Sequence, residues 1–235
     1  MRLILIGCEY TGKATLAGNI SRWMIETMGV SLVRWHDHFV VPRLDGHTII
    51  RAEGSDAVIG KTEHDLNTDA DEEQIMSLRP NVLEQLQRHN IWRHLHPRLL
   101  SADDVLFVNF YYAEAVYAPL YYGYGEPGSF ADRSERAREW DAELLPYAPD
   151  MVLARVTADP ATVAQRMAKQ SRVRGILKQQ DIPFVLDRFQ EEYEASLIKR
   201  KFTLDTTDST PEETLKQFVD RIQPHLSEAD HRRIG

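Results

Sequence analysis

At 235 residues the chain fits one α/β domain, or one domain carrying a sizeable insertion. Hydrophobic residues make up 43% and charged residues 27%, ordinary values for a chain that buries a core, which sets aside a disordered or fibrous reading. The formal net charge of -8 argues against general nucleic-acid binding, because nothing global offsets phosphate repulsion. A single cysteine, Cys8, excludes an intrachain disulfide and a cysteine-built zinc site, and suits a reducing compartment. The apolar run at the start is too short for a signal peptide and no later run approaches a membrane span, so the expectation is a soluble, cytoplasmic protein with no membrane partner.

Arg2-Leu3-Ile4-Leu5-Ile6 is a continuous apolar run of the kind buried on both faces of a parallel sheet. A helix follows, with Leu16, Ile20, Trp23, Met24 and Thr27 at helical spacing and Gly29 as its stop. Residues 31–36 read as a second strand. Residues 42–71 are polar, acidic and weakly patterned, and read as a long loop or insertion. Helical spacing returns with Leu78, Val82, Leu83, Leu86 and Trp92, Pro80 sitting in a first turn. A strand at 105–109, a tyrosine-rich segment at 111–124, a mixed-charge helix at 132–145 and a buried strand at 151–156 come next.

Asp159-Pro160 opens a helix, with Asp as cap and Pro in the first position. Pro183 opens another, with Leu186, Phe189, Tyr193 and Leu197 on one face. A last short strand at 202–205 precedes Thr210-Pro211-Glu212-Glu213, a capping box leading into a final amphipathic helix. Residues 231–235 are expected to fray. Strands alternating with helices in this way predict about five parallel strands with helices on both faces, in one domain spanning 1–230.

Gly7-Cys8-Glu9-Tyr10-Thr11-Gly12-Lys13 fits G-x-x-x-x-G-K, directly after a buried strand and directly before an amphipathic helix. Glycines at those positions let the backbone turn so that successive N–H groups converge on a phosphate at the positive end of a helix, and Lys13 adds a point charge across the β- and γ-phosphates. Residues 7–13 with Ala14 and Thr15 are therefore read as a phosphate loop for ATP. Ala14 stands where many such loops place the hydroxyl that holds Mg²⁺, and Thr15, one residue later, takes the metal role in this reading. Adenylate-kinase-like proteins share that arrangement.

Beyond the loop, the order of elements resembles the thymidylate-kinase-like branch of the P-loop nucleoside and nucleotide kinases over nearly the whole chain. Leu106-Phe107-Val108-Asn109-Phe110-Tyr111 is similar to the family's third strand and its Asp-Arg-Tyr motif, and Pro149-Asp150-Met151-Val152-Leu153 to its fourth strand. The resemblance implies a three-layer kinase fold with a helical lid. It places Arg166, Lys169, Arg172 and Arg174 in the basic lid over ATP and the segment Leu204-Asp205-Thr206-Thr207-Asp208 beside the adenine, with Thr207 as a contact. Asn109-Phe110 replaces Asp-Arg, which removes an acid serving the metal and an arginine gripping an acceptor's phosphate. Thymidylate is thereby disfavoured, and an acceptor without a phosphate favoured.

His36-Asp37-His38 ends the second strand, on the edge where related kinases keep an acceptor-side acid; Asp37 is read as taking the acceptor's proton or holding a metal-bound water, against the plainer reading of a loop-capping carboxylate. A zinc site at His36 and His38 lacks further ligands at set spacing. Asp103-Asp104 precede their strand, away from the phosphates; Glu114, five residues past the strand's end, is a better acidic candidate, with an exposed helix glutamate as the simpler reading. Most of the six tyrosines in 111–124 are expected in the core, with one or two free to stack on a flat acceptor. The reading is ATP- and Mg²⁺-dependent phosphoryl transfer to a small acceptor, with Lys13, Asp37, Arg166 and Arg172 as catalytic groups; it admits a homodimer. A regulatory nucleotide-binding protein is the alternative, favoured by Ala14 and Asn109.

Overall fold

The apolar run Arg2–Ile6 forms β1 in the middle of a six-stranded sheet, and its four residues from Leu3 to Ile6 have no solvent exposure. Such burial contributes roughly 1.5–3 kcal/mol per large side chain, so β1 alone organises much of the core. The computed structural model of the chain describes residues 1–37, 48–51, 68–101, 104–170 and 175–234. The other strands are β2 (Leu32–Asp37), β3 (Thr48–Arg51), β4 (Val105–Val108), β5 (Val152–Thr157) and β6 (Arg200–Asp205). Their order is β3-β2-β4-β1-β5-β6. Four pairings, β2 to β4, β4 to β1, β1 to β5 and β5 to β6, are parallel, and β3 joins β2 antiparallel. Within 42–71, expected as loop, 48–51 is thus an edge strand, and Thr68 caps a helix that begins at Asp69; the remainder of that segment lies outside the described residues.

Helices cover both faces. On the face of Leu3 and Leu5 lie α1 (Lys13–Met28) and, near the end of the chain, α9 (Pro211–Ile222) and α10 (Glu228–Ile234). On the face of Ile4 and Ile6 lie α3 (Pro80–His94), α5 (Phe110–Tyr117), α6 (Arg133–Leu144), α7 (Pro160–Lys169) and α8 (Ile182–Ala195). Two short helices, α2 (Asp69–Met76) and α4 (Pro97–Leu100), flank α3, and a π-helical turn, Ala118–Tyr122, extends α5. Local chemistry sets the ends: Gly29 stops α1 with φ 65°, Asp159 caps α7 ahead of Pro160, and Thr210 and Glu213 close a capping box on α9.

Two expectations change. The tail does not fray at 231: α10 runs to Ile234, and Arg233 pairs with Asp104 at 3.1 Å beside the Met1 ammonium, which Asp104 and Asp230 hold at 2.8 and 2.9 Å. The apolar pattern of α3 divides, with Leu83 turned inward while Val82, Leu86 and Trp92 face solvent.

The tyrosines are core, as most were expected to be. Tyr111 and Tyr112 both donate to the buried Asp141 carboxylate at 2.6 Å, which also accepts the Leu197 amide at 2.8 Å. Burial holds both phenols well above their ordinary range, protonated and able to donate. Removing the acceptor strands several buried donors at once. Asp141→Ala is expected to lower the unfolding free energy by about 3–5 kcal/mol in a denaturant titration, and a loss below about 1 kcal/mol would show that the network contributes little.

Candidate functional site

β1 leaves the sheet at the point where the chain order switches sides, between β4 and β5, the position at which open α/β sheets bind ligands. The turn out of β1 needs a residue without a side chain. Gly7 has φ 149°, and a Cβ there would lie 2.1 Å from the Val156 carbonyl oxygen. Gly12, with φ 89°, immediately precedes Lys13, the first residue of α1. The loop is laced from within: the Thr11 hydroxyl donates to the Cys8 carbonyl at 2.8 Å, and the buried Lys13 ammonium donates to the same oxygen. The Glu9 amide is engaged as well, donating to the Tyr117 hydroxyl at 3.2 Å.

A cavity of about 290 Å³ opens on one side of this loop, lined by Gly12, Thr15, Arg166, Lys169, Thr206 and Pro211 among others. It carries two cations and the amino end of α1, so its field suits an anion. Arg166 is held in place from two directions: its guanidinium donates to the Thr206 hydroxyl at 2.9 Å and to the Tyr10 carbonyl at 3.4 Å. Thr206 in turn donates to the Thr11 carbonyl at 3.0 Å, tying the segment after β6 to the phosphate loop.

The opposite side of the loop is acidic. The Glu9 side chain is buried and accepts the Ile176 and Leu177 amides, both at 3.3 Å. Glu114 is buried, not exposed as expected: it accepts the Tyr124 hydroxyl at 2.7 Å and faces the wholly buried Arg133 at 3.5 Å, which also pairs with Glu84 at 3.0 Å. The Tyr122 hydroxyl is buried there without a hydrogen-bond partner among the described residues, and burial followed by the charges of Glu114 and Glu9 pushes its pKa well up. A charge inside the apolar run of α5 was the signal, since such a residue is either paired or costly.

Most of the expected residues converge on this place. Gly7, Glu9, Tyr10, Thr11, Gly12, Lys13, Ala14 and Thr15 form or adjoin the loop, and Arg166 reaches it from α7. Thr207 does not line the cavity: its hydroxyl donates to Asp205 at 2.6 Å and receives the Asp159 amide at 2.9 Å, and the neighbouring Thr206 occupies the position expected of it. Asp37 ends β2 in register with Val108, which sets it beside Asn109 along the carboxyl edge; its side chain, and Arg172 and Arg174, lie outside the described residues. Asn109 and Phe110 have φ of 63° and 46°, and the buried Asn109 Oδ1 has no hydrogen-bond partner among the described residues. Adjacent left-handed residues at a strand end store strain of the kind that collects at working sites. Among the described residues no group of three or more His, Cys, Asp or Glu side chains is placed to hold a metal ion.

No protein-family model matches the chain, and no curated protein matches it. Solved structures do match. The chain is similar to a deoxyadenosine kinase from M. mycoides with bound dATP, at 10% identity and a TM-score of 0.54, over 95% of this chain and 100% of that one. It is similar to a thymidylate kinase from Ehrlichia chaffeensis, at 12% and 0.51 over 94% and 98%, and to one from Candida albicans, at 15% and 0.53 over 96% and 93%. At these identities the likeness establishes the fold, that of the P-loop nucleoside and nucleotide kinases.

Gly7→Ala is expected to destabilise the chain by about 2 kcal/mol or more in a denaturant titration, since the methyl group displaces β5 or the loop. Cys8 offers an independent check on the loop's enclosure. Burial pushes its thiol up to about 12, against the pull of Lys13. Alkylation of the folded chain at pH 8 is expected to be at least about a thousandfold slower than that of the unfolded chain, followed by intact-mass spectrometry.

Proposed function

We propose that this chain transfers the γ-phosphoryl group of ATP to a small nucleoside- or nucleotide-like acceptor. The observation that carries the reading is the cavity beside the loop and the amino end of α1, with Arg166 and Lys169 in its wall and Lys13 buried within the loop itself. Phosphoryl transfer asks little of the protein beyond position and charge, and both are supplied here. The backbone amides of the loop receive the β-phosphate. Lys13 exchanges the Cys8 carbonyl for phosphate oxygens, and Arg166, with Arg172 as a second cation, steadies the charge that spreads over the transferring group. Thr206 and Pro211 border the space left for the base.

The acceptor belongs on the other side of the loop, toward the carboxyl ends of β2 and β4. Asp37 is the candidate to accept its hydroxyl proton, and Asn109 Oδ1, buried and without a partner among the described residues, is a hydrogen-bond acceptor nearby. Mg²⁺ takes most of its ligands from the nucleotide and water. Thr15 and Asp37 are the protein groups that would hold it, with Asn109 Oδ1 as an acceptor for a water beside them, and the ion would supply neutralisation of phosphate charge.

A second reading, nucleotide binding without turnover, is favoured by one specific pair of residues: Ala14 and Asn109 each lack the group that usually serves the metal.

Turnover of ATP with a panel of nucleosides and nucleotides separates the two. Labelled phosphate on an acceptor is expected with the wild-type chain, and Lys13→Ala is expected to lower the rate by about 100- to 1,000-fold. Unchanged ATP affinity in Lys13→Ala would sink the loop assignment. Tight ATP binding with no labelled product on any acceptor would favour the binding protein over the kinase.

A further inference from the structure

Arg166 lies in the cavity wall with its guanidinium held along one edge by a single residue. Nη1 donates to the Thr206 hydroxyl at 2.9 Å, and Nη2 donates to the carbonyl oxygen of the same Thr206. The other hydrogen of Nη1 reaches the Tyr10 carbonyl at 3.4 Å. A guanidinium carries five N–H donors in one rigid plane, so these contacts occupy its end. The side edge, Nε with the remaining hydrogen of Nη2, has no hydrogen-bond partner among the described residues. Two parallel donors of that kind are the fork that grips a phosphate.

Thr206 is suited to hold that end because it is itself held. A hydroxyl has one hydrogen to give and lone pairs to receive with. Thr206 gives its hydrogen toward the Thr11 carbonyl at 3.0 Å, with the Thr157 carbonyl alongside at 3.2 Å, which leaves the lone pairs for Arg166. Its amide donates to the Thr157 carbonyl at 2.9 Å, and the residue is buried. The hydroxyl therefore stands between the loop after β1, the end of β5 and the arginine of α7. A long side chain that would otherwise sample many rotamers is registered against the loop by folding, so that little ordering is left for the moment of binding.

We infer that Thr206 is a positioning residue, which clamps the end of the Arg166 guanidinium and leaves its side edge to fork onto the phosphates of a nucleotide. The inference rests on the reading of this cavity as the ATP site. A double-mutant cycle followed by calorimetric titration with ATP tests it. Thr206→Val keeps the shape and removes the hydroxyl, and it is expected to weaken ATP binding by about tenfold. Thr206→Ser restores the hydroxyl and is expected to recover most of that loss. In an Arg166→Ala background Thr206→Val is expected to change the affinity by less than about twofold, while in a Lys169→Ala background the loss stays at about tenfold. Equal losses in the two backgrounds overturn the inference, since a general loosening of the wall produces that result. A Ser variant as weak as the Val variant overturns it too. Arginine side-chain NMR of the ligand-free chain provides a readout that needs no nucleotide. Separate Arg166 Nη–H signals, the mark of slow rotation about Cζ–Nη, are expected in the wild type and in Thr206→Ser, and averaged signals in Thr206→Val. Averaged signals in the wild type overturn the clamp even where ATP binds; separate signals with no ATP binding support the clamp and overturn the ATP reading.

Discussion

The loop between β1 and α1 can sit where it does because one backbone passes another with no side chain between them. Gly7 leaves β1 against the Val156 carbonyl of β5, at a separation that no Cβ would tolerate. That approach aims the amides of the loop along the axis of α1 and draws Thr206, on the far side of β5, within reach of the Thr11 carbonyl. Arg166 then bonds to both Thr206 and Tyr10. The cavity wall is thus a series of contacts each of which presupposes the one before, beginning with an absent methyl group.

Electrostatics divides the loop into two sides. Toward the cavity lie Lys169, Arg166 and the positive end of α1; toward α5 and α6 lie Glu9, Glu114 and Glu84, with Arg133 as the internal counterion. In a low-dielectric interior these groups act on one another strongly, and a polyanion is drawn to one side and repelled from the other.

How much of this was legible in the sequence depends on the range of the interactions concerned. The loop, the Gly29 stop, the Asp159-Pro160 start and the Thr210–Glu213 capping box are written in neighbouring residues, and each appears in place. The Glu84–Arg133–Glu114 group was not legible, because its members come from three helices and only tertiary packing brings them together. That Thr206 and not Thr207 lines the cavity could not be read, since alternation past a strand end decides which hydroxyl points at the loop and which at Asp205. The antiparallel edge strand β3 lies in a stretch with no clear period, and the division of α3 escaped notice because its apolar residues fall on both faces.

The Lys13 ammonium rests on the Cys8 carbonyl of its own loop. On the proposed reading a phosphate would have to outcompete a neighbour that is tethered and always present, and a nucleotide affinity would then report the difference between two contacts of the same ammonium.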